Sequence, residues 1–149
     1  MPRFIASWFG SGLLLRSLRG SDMGSGTVGS ALALAMSLAL GSIGWWAQAA
    51  AAVAVTVLAI WSAGHFSDQG DPGWITVDEA AGTFLATIGL VGWPAVVSWL
   101  VFRAADIFKQ TPGVGAAERL PDGWGITADD LVAGLYGLAA GWALYAWIA

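Results

Sequence analysis

"AAGTFLATIGLVGWPAVVSWLVF", residues 80–102, is an uncharged apolar run long enough to cross a bilayer, but glycine and proline interrupt it in the middle. Crossing a hydrocarbon core takes about 20 apolar residues at roughly 1.5 Å rise each. As one kinked helix, the run would cross and leave its two ends on opposite sides, because proline is tolerated in membrane helices. In the other reading, Gly92 caps a first half-helix and Pro94 sits in the first turn of a second. Each half then holds about 12 residues, roughly 18 Å, which is less than the core of about 30 Å. The expectation is therefore a buried or re-entrant helical hairpin broken at Gly92 and Pro94, with the kinked span as the alternative.

The choice matters because charge flanks the run on both sides. Asp78 and Glu79 precede it, and Arg103, Asp106 and Lys109 follow it. A hairpin brings the two groups together, and a span separates them. On a helix, Arg103, Asp106 and Lys109 fall across one face roughly 120° wide. That is either a pair of i,i+3 salt bridges at a helix end, or a carboxylate flanked by two cations as a site for a metal and a phosphate requires.

Outward from this run, the composition indicates a membrane protein. The 149 residues are 57% hydrophobic and 11% charged, and the mean hydropathy is positive, outside the usual range of soluble domains. Two further apolar blocks, Ala31 to Ala63 and Leu131 to Ala149, carry no charge. The first is too long for one helix and breaks at Gly41-Ser42-Ile43-Gly44, so it reads as two helices joined by a tight turn. Ten tryptophans suit rings at membrane interfaces. The six cations are Arg3, Arg16 and Arg19 before the first block, and Arg103, Lys109 and Arg119 before the last. By the positive-inside rule both segments face the cytoplasm. The N-terminal segment, with basic and apolar residues and no convincing cleavage site, reads as retained and interfacial. The expected fold is all-α: a small polytopic membrane helix bundle with a polar site on the cytoplasmic side, in a single domain over residues 1–149.

Several chemistries are excluded. The chain has no cysteine, so disulfides, thiolate metal sites and cysteine nucleophiles are absent. A single histidine, His65, cannot serve phosphatases that need two, and it reads as an interfacial side chain. No Asp-x-Asp follows a strand pattern, and no Asp-Gly-x-x-Ala-Arg is present. A net charge of −4 without a basic cluster gives no footprint for nucleic acid.

The segments 64–76 and 110–127 read as loops rich in Gly, Pro and Asp. Each leads into an acid pair, and the two approaches echo one another: "WITVDEAAG" (74–82) and "GITADDLVAG" (125–134). Thr76 with Glu79, and Thr127 with Asp130, have the spacing of capping boxes. Two acids at each start exceed what capping needs, and four carboxylates beside an apolar phase are costly unless a cation neutralises them. Capping and a hard-cation site account for the pattern about equally. "SGTVGS" (25–30) leads into the first apolar helix with small residues that leave backbone N–H groups open to an anion, or that simply let helices approach.

Together, "FGSG" (9–12), "SGTVGS", "VDE" (77–79), "FRAADIFK" (102–109) and "GWGITADDLVAG" (123–134) occur in the order and approximate spacing of the phosphatidylglycerophosphatase A family, which the chain resembles from Phe9 to Gly134. It departs from the family pattern at Ser25, where proline is usual, and at Gln110 and Asp122. The resemblance implies a multi-pass enzyme of the bacterial inner membrane. Such an enzyme uses Mg²⁺ to hydrolyse the terminal phosphate of phosphatidylglycerophosphate, giving phosphatidylglycerol, with its active site facing the cytoplasm. Carried onto this chain, it implies Asp78, Glu79, Asp129 and Asp130 as metal ligands and Asp106, Arg103 and Lys109 as catalytic residues. Arg103, Lys109, Thr27, Gly29 and Ser30 would bind the substrate phosphate. The implied partners are that lipid and the surrounding membrane. A non-catalytic membrane scaffold, or a phosphatase of another lipid phosphate, are the competing readings.

Overall fold

The structure, a computed structural model, describes residues 1–69 and 72–149, and the side chains of residues 15, 16 and 19 also fall outside the description. Gly70 and Asp71 of the expected loop, and the cationic side chains of Arg16 and Arg19, therefore lie outside the described residues. Among the described residues all regular structure is helical. Two short helices, α1 (Pro2–Ala6) and α2 (Ser11–Arg19), precede the bundle helices α3 (Ser25–Gly41), α4 (Trp45–Gly64), α5 (Val77–Ala86) and α6 (Gly92–Ile107). The short α7 (Val114–Ala117) and the long α8 (Asp122–Ile148) complete the chain.

The first apolar block folds as expected into two helices, α3 and α4, with a tight turn at 42–44. The hairpin at 80–102 also forms, because the start of α5 and the end of α6 meet where Glu79 Oε1 lies 4.0 Å from Arg103 Nη1. The break is one turn earlier than expected. The left-handed glycine that follows α5 is Gly89 (φ 73°), whereas Gly92 (φ 61°) opens α6 with Pro94 in its first turn.

An elbow in an apolar interior must satisfy its own backbone groups. Gln48, fully buried on α4, does this. Its Nε2 donates to the carbonyls of Leu90 and Ser37, both at 3.1 Å, and its Oε1 accepts from the Gly89 N–H at 2.8 Å. Beside it, Thr87 Oγ1 donates to the Thr83 carbonyl (2.8 Å) and meets Ser37 Oγ at 2.7 Å.

At the centre α8 packs along α6, α5 and α4. The glycines of the two echoed segments meet at the crossing of α5 and α8. A Cβ on Gly82 would stand 2.8 Å from the Asp130 carbonyl oxygen, and one on Gly134 would stand 2.8 Å from the Gly82 carbonyl oxygen. Their absence lets the backbones touch. Two helices, α4 and α8, are long and apolar enough to cross a membrane, while α3 is a shorter apolar helix.

Two expectations fail at the start of α8. The segment 110–127 is not a loop throughout, because α7 and the first turns of α8 lie within it. Asp129 and Asp130 are consequently not in a first turn but about two turns inside α8, and Thr127 is interior helix rather than a cap. Gly123 and Gly125 suggested a loop, but they serve close packing: a Cβ on either would collide with a backbone carbonyl, that of Ile60 or Leu120. The capping box at α5 is also not made. Thr76 is the N-cap residue, but its hydroxyl lies 3.4 Å from Ser11 Oγ and caps nothing.

Candidate active site

The flanking charges converge at one end of the bundle, brought by three helices and one loop. Arg103, on the last turns of α6, holds Asp106 through a 2.6 Å hydrogen bond from Nη1 and lies 4.0 Å from Glu79. Lys109, just beyond α6, donates to Asp129 Oδ2 of α8 at 2.6 Å and to Glu118 Oε1 at 3.3 Å. The expected array of Arg103, Asp106 and Lys109 is therefore a bridge, with one cation reaching toward α5 and the other toward α8.

Both acid pairs have the same local geometry. Asp78 Oδ1 accepts from the Glu79 N–H, and Asp129 Oδ1 accepts from the Asp130 N–H, each at 3.0 Å. The echo in the sequence is thus an echo in structure, with the first acid of each pair turned back on the helix. Asp78, Asp129 and Asp130 are buried, Asp130 with 4% exposure.

Burial alone would lower the Lys109 pKa, but the hydrogen bond it donates to Asp129, with the charges of Asp129 and Glu118, drives it above the usual lysine range. A lysine whose folded pKa is raised stabilises the folded state fully below its ordinary pKa and loses that contribution only as pH rises past it. Lys109 is therefore the charged partner of its pair with Asp129 throughout the physiological range. Its side chain is 41% exposed, so the bridge is open to solvent and accessible to an anion.

The small-residue segment enters the site through a residue other than those expected. Gly26, in the first turn of α3, abuts the bridge: a Cβ there would collide with Glu79 Oε1 and stand 3.1 Å from Arg103 Nη2. Thr27 is exposed, Gly29 packs against Thr76, and the Ser30 hydroxyl donates to the Thr27 carbonyl at 3.2 Å. Glu118 and Gly26 are the site residues that sequence reasoning missed. Glu118 sits nine residues from Lys109 across a turn and α7, a spacing without a periodic signal. Gly26 could have been found within "SGTVGS" as the glycine nearest the helix start. His65 is exposed and satisfied locally, with Nδ1 2.8 Å from the Trp61 carbonyl. "FGSG" is a packing turn that seats Gly12 against Trp74 and Thr76.

Four buried polar atoms in this corner have no hydrogen-bond partner: Ser25 Oγ, Arg103 Nε, Thr127 Oγ1 and Asp130 Oδ1. Such atoms are few in folded proteins and each calls for an explanation. Two are donors beside the first turn of α3, and Thr127 and Asp130 share one face of α8. Among the described residues no group of three carboxylates or histidines stands ready to hold a metal ion. The donor chemistry nevertheless suits a hard cation, which takes carboxylate oxygens, and Asp130 Oδ1 is a buried carboxylate oxygen without a hydrogen-bond partner.

A family model described as Phosphatidylglycerophosphatase A matches residues 4–145. A protein of Bacteroides thetaiotaomicron, provisionally named a phosphatidylinositol-3-phosphatase, is 30% identical over 148 aligned residues, covering 91% of this chain and 88% of its own. The Phosphatidylglycerophosphatase A of Haemophilus influenzae is 35% identical over 81 residues, 52% of this chain and 50% of its own. No solved structure matches the chain.

Proposed function

The chain belongs to the phosphatidylglycerophosphatase A family of phosphatase hydrolases, and from that premise we propose that it removes the terminal phosphate of phosphatidylglycerophosphate in a membrane, with Mg²⁺. The observation that carries the reading is the cluster of unpartnered buried atoms beside paired cations, donors on one side and a carboxylate oxygen on the other.

In this reading Arg103 and Lys109 bind the phosphoryl oxygens. Asp106 fixes the guanidinium of Arg103, and Asp129 fixes the ammonium of Lys109, each through its 2.6 Å contact. Preorganised cations of this kind stabilise charge as it develops on the transferring group. Ser25 and the first turn of α3 add donors, a role the sequence had suggested for Thr27, Gly29 and Ser30. Asp130, with Asp78, Glu79 and Asp129, would hold Mg²⁺, which when bound supplies a hard Lewis acid for the phosphate. The helices α4 and α8 cross the bilayer and keep the acyl chains beside them. The site faces the cytoplasm, the side to which the basic segments point.

The test is phosphate release from phosphatidylglycerophosphate in detergent micelles, with Mg²⁺ and with chelator, by the wild type and by Asp130→Asn. Metal-dependent release that the substitution abolishes, in a protein that stays folded, is the expected result. Equal release by the variant, or release unaffected by chelator, would sink the reading. The Bacteroides relative, which matches more of the chain, carries another substrate in its name. Phosphatidylinositol 3-phosphate therefore belongs in the same assay, and preference for it would reassign the substrate but not the chemistry.

A further inference from the structure

Among the described residues apolar hollows open on the outside of the bundle, and three of them differ in their relation to the charged bridge. The hollow between α4, the elbow and α8, about 430 Å³, is lined on α8 by Trp124 and Leu131, which lie about 140° and 160° around the helix from Asp129. A second, about 350 Å³, lies at the far end, against Trp45 and Trp142. The third, about 360 Å³, is lined by Val132, Leu135, Tyr136 and Ala139 of α8. Val132, Tyr136 and Ala139 fall within about 80° of Asp129 on that helix. This hollow begins one turn beyond Asp129 and runs roughly 10 Å along α8.

We propose that this third groove seats an acyl chain of the lipid phosphomonoester whose phosphate is bound at Lys109. The proposal rests on the lipid phosphatase reading above. Two features commit the groove to this occupant. One turn before its first lining residue a partly exposed cation, Lys109, is held against α8 by Asp129, and the lining itself is apolar, so charge and hydrocarbon succeed one another along the helix as they do in an anionic lipid. Tyr136, which lines the groove, also donates its hydroxyl to the Pro112 carbonyl at 3.0 Å. That bond ties the segment following Lys109 to the groove wall. Leu135, Tyr136 and Ala139 are exposed and available for contact. A chain lying here would direct its headgroup to the bridge and not to the opposite face of α8.

The experiment exploits the absence of native cysteine. Leu135→Cys, or Ala139→Cys if the first variant is unstable, gives a single thiol in the groove. Its rate of modification by a membrane-permeant maleimide is followed in detergent micelles with three added lipids: a long-chain phosphomonoester, the same headgroup on short chains, and a long-chain diacylglycerol without phosphate. The expected result is protection of about tenfold by the long-chain phosphomonoester alone, lost in the Lys109→Gln background. Equal protection by the neutral diacylglycerol, or none by any lipid, overturns the proposal. Protection that tracks a concentration-dependent dimer also overturns it, since the groove would then belong to a second copy. Because the readout is binding, failure of the protein to release phosphate would remove the enzymatic reading and leave this result standing on its own.

Discussion

Asp130 poses the sharpest question at the scale of single residues. A buried carboxylate with an unpartnered oxygen is costly, and an isosteric amide removes that cost. If the residue serves only the fold, Asp130→Asn stabilises the protein by about 1–3 kcal/mol and changes nothing else. If it serves the site, the same variant gains stability and loses phosphate release, and thermal unfolding run beside the assay reads both. A variant that is destabilised would show that the carboxylate is engaged by the fold. Gly26 makes a complementary prediction. Gly26→Ala drives a methyl group into Glu79 and Arg103, and overpacking of this kind costs about 1–3 kcal/mol. In a Glu79→Asp background, where the carboxylate is withdrawn, that cost should shrink, and a double-mutant cycle measures the difference. Additive effects would mean that Gly26 and Glu79 do not press on each other.

Among the elements, the hairpin of α5 and α6 was legible from Gly92 and Pro94, and with it the meeting of Glu79 and Arg103. The start of α8 was not legible. Gly123 and Gly125 carry poor helix propensity, and only the backbones of α4 and the segment before α8 show why glycine is needed there. The echo of the two acid pairs was legible, but the position of Asp129 and Asp130 two turns inside α8 was not, and their partner Lys109 arrives from a distant part of the chain. Gln48 was likewise invisible as the clamp of the elbow: one amide in an alanine-rich helix has no local signature. Gln48→Leu strips the Gly89 N–H and the Leu90 carbonyl of their partners, at about 1–3 kcal/mol for each group left unsatisfied. The expected outcome is a clearly lowered unfolding midpoint in detergent with α-helical content retained. An unchanged midpoint would show that the elbow stands without the clamp.

For the whole molecule, the exposed rings give the scale. Trp124 and Trp142 on α8 lie about five turns apart, roughly 27 Å, close to the thickness of a hydrocarbon core of about 30 Å. On α4, exposed Trp61 stands toward the site end and exposed Trp45 and Trp46 toward the elbow end. Asp129 lies five residues, roughly 7.5 Å along α8, inside the nearer of these rings, Trp124. Since α8 is the longest helix and carries Asp129 and Asp130, while Glu79 and Arg103 ride on the shorter α5 and α6, the acids and cations answer to different lengths of the bundle. A bilayer thicker or thinner than the tryptophan spacing is accommodated by helix tilt or by deforming the lipid. Tilt of α8 against its shorter neighbours shifts Asp129 and Asp130 relative to Arg103. Turnover in vesicles of graded acyl length should therefore peak at one thickness and fall on both sides, whereas a flat response would mean that the bundle moves as one body. A peak would make the host membrane's thickness, through hydrophobic mismatch, a control on the chemistry.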